Sequence, residues 1–393
     1  MAVIKKYLVA AALLVCLEGT SQARLKYNLL YNIFNQDGSG GKQVYDGSGD
    51  QALIVYEPVL FMDYDINYKT VLSGTFLVDT FSSASDAIFD TKTGASGGAG
   101  TSGRAGKDNE EDKPAAMQIA RKWEQRKAFD LSLSHRMGTC IIIPSLGSSD
   151  EEDYRSVHGG INLLKSFAED NFTLAAGFIH FDDKAMPFDL NTLHFLGWTP
   201  KITDSCVISA TQILGPGDIA LLGAGFTRQT GYLSGDRNTV DLAGIRVSEV
   251  LPDERNKITS TLRLVHGLSG SLALHFDYRY YSDDWQLRAH TFEPSLALGF
   301  GEADAGVIHL FYRYYVQNGA AYYRDSFTSK LVYMTSDSDL QGFFASEAGL
   351  QGTYRLDLKG FLSDIELGFG IIYYRRSNDL NAAIYQLSFG GEF

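Results

Sequence analysis

The sequence predicts an all-β chain, a transmembrane antiparallel β-barrel of about sixteen strands (range fourteen to eighteen), with long extracellular loops and short periplasmic turns. Three observations predict it. Segments of about ten residues alternate in polarity along the chain, the pattern of strands with one face in lipid and one in water. Short turns alternate with long polar loops. The chain ends on an alternating aromatic strand, "AIYQLSFGGEF", where most termini are polar. Composition agrees: 22 Tyr, 24 Phe and 40 Gly against 8 Pro favour strands joined by tight turns over helices.

The first element, residues 1–23, reads as a secretory signal peptide. Lys5 and Lys6 precede an apolar core from Tyr7 to Leu17, and Ser21 to Ala23 form a small-residue cleavage site before Arg24. Residues 24–393 then form the barrel, in the cell outer membrane and surrounded by its lipid. No later apolar run is long enough for a membrane helix, so a membrane form must be a closed barrel. The net charge of −13, with no basic stripe, argues against a nucleic-acid partner. Cys140 and Cys206 make no disulfide framework; two free thiols on separate strands fit best, and one bridge stays open. No metal-ligand spacing is present, and no cofactor is expected.

Sixteen strands are expected near 25–34, 52–64, 69–81, 127–137, 139–147, 155–166, 171–181, 203–213, 219–229, 256–267, 271–281, 286–299, 305–317, 342–355, 361–374 and 383–393. "GVIHLFYRYYVQ" is the clearest, with Leu310, Tyr312 and Tyr314 opposed to His309, Arg313 and Gln317. The first strand is weak, and the fifth is short and carries Pro144. Around Pro294 the two faces slip, which predicts a bulge. Long loops fall at about 35–51, 82–126, 182–202, 230–255 and 318–341. Loop 82–126 contains a Gly/Ser-rich and then charged stretch that reads as partly disordered.

"VDTFSSASDAIFDTKTGAS", "SSDEEDYRSVHGGINL", "TGYLSGDRNTV" with "EVLPDERNK", and "YRYYSDDWQLRAHTFEP" resemble a bacterial family described only as a domain of unknown function and regarded as an outer-membrane β-barrel. The resemblance spans roughly 50–393. It implies architecture and location, and no established activity. It also implies, as an alternative, redox or flavin-transfer proteins as partners. "LSGDRN" departs from the Pro and aromatic residue that family tends to carry there.

The candidate functional residues are inward charges. Arg263, His275, Asp277, Arg279, His309, Arg313, Glu347 and Glu366 all fall on the polar face. Such charges must be hydrated in a channel or paired across the lumen. Two readings follow, a pore whose fixed charges filter solutes and a plugged, salt-bridged interior. The first makes the protein a porin-like channel for small solutes. The second makes it a scaffold, or a barrel serving a surface or periplasmic partner protein.

Other clusters have blander readings. "SSDEEDY" (Asp150 to Asp153) lacks a calcium-loop spacing and reads as a solvated loop. Asp79, Ser82, Ser83, Ser85, Asp86 and Asp90 read as turn formers at a loop base, with an ion or ligand pocket as the alternative. His180, Asp182 and Asp183 with His290 would make an acid/base site only if separate hairpins brought them together. No residue is assigned a catalytic role. Glu249 is expected to pair with Arg255. In the last strand, Tyr385, Leu387, Phe389 and Phe393 resemble the signal read by barrel-assembly machinery, with Gly391 where a hydrophobic residue is usual.

Overall fold

In the computed structural model the described residues are 24–38, 53–81, 124–189, 194–235, 238–302, 305–356 and 363–392. Residues 1–23, expected as a signal peptide, most of loop 82–126 and Phe393 lie outside them.

The strands are β1 (Leu25–Gly38), β2 (Leu53–Asn67), β3 (Thr70–Phe81), β4 (Glu124–Met137), β5 (Cys140–Asp150), β6 (Tyr154–Phe167) and β7 (Phe172–Ala185). A short pair, β8 (Phe188–Asp189) and β9 (His194–Phe195), precedes β10 (Thr199–Gly215) and β11 (Asp218–Gly231). A second short pair, β12 (Thr239–Leu242) and β13 (Ile245–Ser248), precedes β14 (Glu254–Gly267) and β15 (Leu272–Asp283). The chain continues through β16 (Arg288–Phe300), β17 (Gly306–Gln317), β18 (Phe343–Leu356), β19 (Ser363–Arg376) and β20 (Leu380–Glu392). Without the two short pairs these are sixteen antiparallel strands in one closed barrel.

Closure removes the free edges that lipid cannot satisfy. β1 pairs with β20 from Lys26 opposite Glu392 to Gly38 opposite Leu380. The seam is also held inside the barrel. Gln386 donates to Asn32, Asn32 donates to Glu57, and Gln351 donates to Gln386. Gly391 has a reason on the outside. A Cβ there would stand 2.8 Å from the Tyr27 hydroxyl, so the Tyr27 ring occupies the space a larger residue would need.

Alternation sorts the two faces. Ile208, Leu222, Leu387 and Tyr373 point outward and are exposed in a broad apolar belt, with Tyr312, Tyr314 and Tyr385 among them. Soluble proteins rarely carry such a surface. With a closed barrel it makes this an outer-membrane barrel in lipid. No helix among the described residues is long and apolar enough to cross a membrane.

The expected bulge at Pro294 is absent. Pro294 stands opposite Phe276, and the register with β17 is the same on both sides of it. Proline removes one ladder donor, and the strand absorbs that loss without adding a residue. Bulges occur instead at Asp65/Asn67, Ile213/Gly215 and Ser363/Glu366. Pro144 is likewise carried in register, opposite Ile161. The expected loop 82–126 ends earlier, because Glu124, Gln125 and Arg126 already pair with β3. Cys140 and Cys206 are free thiols on β5 and β10.

Candidate functional site

The period of two puts Arg263, Asp277, Glu293, Arg313 and Glu347 on the inner face of five neighbouring strands. They form one transverse row. Arg263 Nε donates to Asp277 Oδ1 at 2.5 Å. Asp277 stands directly opposite Glu293. Arg313 then bridges two carboxylates, Glu293 Oε2 at 2.5 Å and Glu347 Oε1 at 3.0 Å. Two arginines face three acids, so the row has a surplus negative charge. Glu293 is absent from the sequence-derived set because the supposed bulge at Pro294 hid its face. Alternation with Thr291 and Ser295 would have found it.

The other predicted lumen residues surround this row. Arg279 lies opposite Thr261 and Thr291 and has no ion pair among the described residues. His275 and His309 meet edge to face at 6.3 Å across the small residues Ser295 and Ala297 of β16. Glu366 pairs at 3.8 Å with Arg355, nearer the periplasmic turns. On another part of the wall, His158 Nε2 pairs with Asp130 Oδ1 at 2.8 Å. Gly147 makes this possible, since a Cβ there would sit 2.4 Å from Asp130 and 2.5 Å from His158.

Above the row a cap stands at the mouth. The described residues of segments 232–253 and 318–341 fold together to form it. Val250 and Met334 exchange backbone hydrogen bonds at 3.1 and 2.8 Å, and Phe327 N donates to Asp241 O. Val240, Phe327 and Met334 pack between the segments. Leu233, Leu251, Ala320 and Leu340 pack on Trp285, Leu287 and Ala289 at the barrel rim, against Tyr281 and Tyr315 of the inner wall. Tyr281 and Tyr315 stand two residues beyond Arg279 and Arg313, so the cap sits directly over the charged row. Arg376 of β19 pairs with Asp339 of the cap, and Gln317 donates to the backbone oxygens of Asp339 and Gln341.

The expected Glu249–Arg255 pair does not form. Arg255 reaches Asp283 Oδ2 at 2.5 Å under the Trp285 ring. Glu249 is buried in the cap, where it accepts from Thr335, Gly235 and Asn238. Sequence proximity favoured a pair across six positions; the hairpin instead delivers a partner from the next strand.

The proposed rim acid/base set does not assemble. His180 faces outward and bonds Asp204 at 2.7 Å. Asp183 faces inward and is buried, accepting from Tyr154. His290 is on β16, among Tyr278, Tyr280 and Phe292, with β10, β11, β14 and β15 between it and β7. The "SSDEEDY" acids also diverge. Asp150 pairs with Arg155, whereas Glu151 approaches Arg126. Asp79 is buried and bonds Arg126 at 2.7 Å. Ser82, Ser83, Ser85, Asp86 and Asp90 lie outside the described residues. Among the described residues no cluster of three or more His, Cys, Asp or Glu side chains could hold a metal.

A family model described as "Protein of unknown function (DUF3570)" matches residues 42–393. The chain belongs to the DUF3570 family. No curated protein matches this DUF3570 chain. Among solved structures it is similar to a bacterial polysaccharide outer membrane secretin, at 7% identity and TM-score 0.47, covering 94% of this chain and 98% of that one. It is also similar to Pseudomonas aeruginosa OpdK with vanillate (9% identity, TM-score 0.42, 95% and 99% covered). A BenF-like porin from Pseudomonas fluorescens Pf-5 shows 8% identity and TM-score 0.44, with the same coverage. Likenesses this distant leave any solute to be argued from the DUF3570 chain's own residues.

Proposed function

We propose that the protein is a porin-like channel for small solutes, with a water-filled lower lumen lined by Arg263, His275, Asp277, Arg279, His309, Arg313, Glu347 and Glu366. One observation carries this reading. The inner-wall arginines below the cap keep much of their surface exposed, 54% for Arg263, 40% for Arg313 and 64% for Arg355. A dry interior would leave such charges costly, and water is their natural solvent. Fixed charges on a wet wall act on passing ions through their field.

Purified protein in a planar bilayer should give stepwise conductance. Replacing Arg279 and Arg313 by Glu should shift its selectivity toward cations; unchanged selectivity would remove both from the ion path.

A second reading is supported by the cap, which buries Trp285 to 1% exposure at the mouth. A barrel closed there would serve as a scaffold for a surface or periplasmic partner protein. Silence in the bilayer, also after the cap is loosened, would favour it. In either reading the outward Tyr385, Leu387 and Phe389, together with Phe393, present the last strand to barrel-assembly machinery, after cleavage of residues 1–23.

A further inference from the structure

The joint between the two halves of the cap is built on a pair of acids. Glu249 comes from the first segment and Asp337 from the second, and both are buried, at 4% and 0% exposure. They share one donor. Asn238 Nδ2 lies 3.5 Å from Glu249 Oε2 and 3.4 Å from Asp337 Oδ2. Thr335 Oγ1 donates to Glu249 Oε2 at 2.5 Å and accepts from Asp337 N at 2.9 Å. The Thr335–Glu249 bond joins residues 86 apart in sequence, so this tetrad ties one segment to the other.

Few charges stand near enough to compensate. Asp339 faces Asp337 from the same segment, and its backbone N–H donates to Asp337. Tyr323 also faces Asp337. Arg376 approaches from β19, but its guanidinium is engaged by Asp339 and Tyr374. Among the described residues neither Glu249 nor Asp337 forms an ion pair. Two buried carboxylates around one amide donor cannot both ionise cheaply.

We propose that Glu249 and Asp337 form a pH-responsive latch, which holds the two cap segments together when protonated and releases them when both acids ionise. The sign follows from burial. Desolvation raises Glu249 to about 7 and raises Asp337 well above the ordinary carboxylate range. In the released segments both acids return to the solvated range near 4. The latched form therefore holds protons that the released form gives up. Latching is strongest in acid and weakens as pH rises above about 4.5; the Glu249 share of it is spent above about 7. Across this window the release equilibrium grows by up to about tenfold per pH unit for each carboxylate.

The test is hydrogen exchange of the full-length protein in detergent at about pH 5 and about pH 7.5, with rates corrected for intrinsic pH dependence. Peptides containing Val250 and Met334 should lose at least about tenfold protection at the higher pH. Seam peptides from β1 and β20 should not change. The double variant Glu249→Gln, Asp337→Asn should show equal cap protection at both pH values. Heat-modifiable migration on gels establishes that the variant barrel is folded. If the double variant does not fold, Asp337→Asn alone should reduce the pH response. Equal wild-type protection at both pH values, or an undiminished response in the variants, would overturn the latch. Its use in opening a pore rests on the channel reading above. Exchange of the cap does not, so the two ideas fail separately.

Discussion

Arginine stands on the inner wall at two heights, and the two sets differ in exposure. At the mouth, Arg126, Arg255 and Arg376 have side chains only 5%, 5% and 10% exposed. Below the cap, Arg263, Arg313 and Arg355 are 54%, 40% and 64% exposed. Each of the six has an acidic partner. Ion pairing therefore does not separate the sets; access to water does. At the mouth the pair is a structural necessity, because an orphaned buried charge is expensive. In the lower lumen the same pairing is weak in energy and leaves the charge exposed.

Breaking equivalent pairs at the two heights tests this contrast. Asp283→Ala strands Arg255 under Trp285 and should cost about 3–5 kcal/mol, read as a lowered guanidinium midpoint of heat-modifiable barrel. Equal stability would show that the mouth is wetter than described. A smaller effect is expected outside both regions. Gly391→Leu drives a side chain into the Tyr27 ring at the seam and should cost about 1–3 kcal/mol. Adding Tyr27→Ala should recover part of that loss; no recovery would separate Gly391 from Tyr27. Asp277→Ala removes the partner of the half-exposed Arg263 and should cost less than about 1 kcal/mol, on the same assay as Asp283→Ala. A loss equal to that of Asp283→Ala would collapse the distinction between the two heights. Arg279→Glu should be smallest in stability, near zero, because Arg279 has no ion pair among the described residues to lose. Its signature is a shifted reversal potential, which should shrink in about 1 M salt as screening shortens to about 3 Å.

The sixteen strands were legible because lipid on one face and water on the other impose a strict period of two. Where that contrast stops, reading stopped too. β7 runs to Ala185 and β10 starts at Thr199, beyond the expected 181 and 203, because "DDK" and "TPK" continue the ladder where polar side chains occupy both faces. The cap was not legible. Its key contacts, Val250 with Met334 and Glu249 with Thr335, join distant segments, and no local pattern announces them. The charged row was legible in four of its five members. The fifth, Glu293, was lost to a bulge that proline does not make here. Arg255 shows the same limit from another side: sequence proximity points to Glu249, while the neighbouring strand supplies Asp283.

The central claim is that water fills the lumen beneath the cap. Planar-bilayer recording of the wild type and of a cap-loosened variant, Trp285→Ala, tests it most directly. The account predicts stepwise conductance in both, larger or longer-lived in the variant, with selectivity that follows Arg279→Glu. Silence in both proteins, with heat-modifiable barrels present, would contradict it.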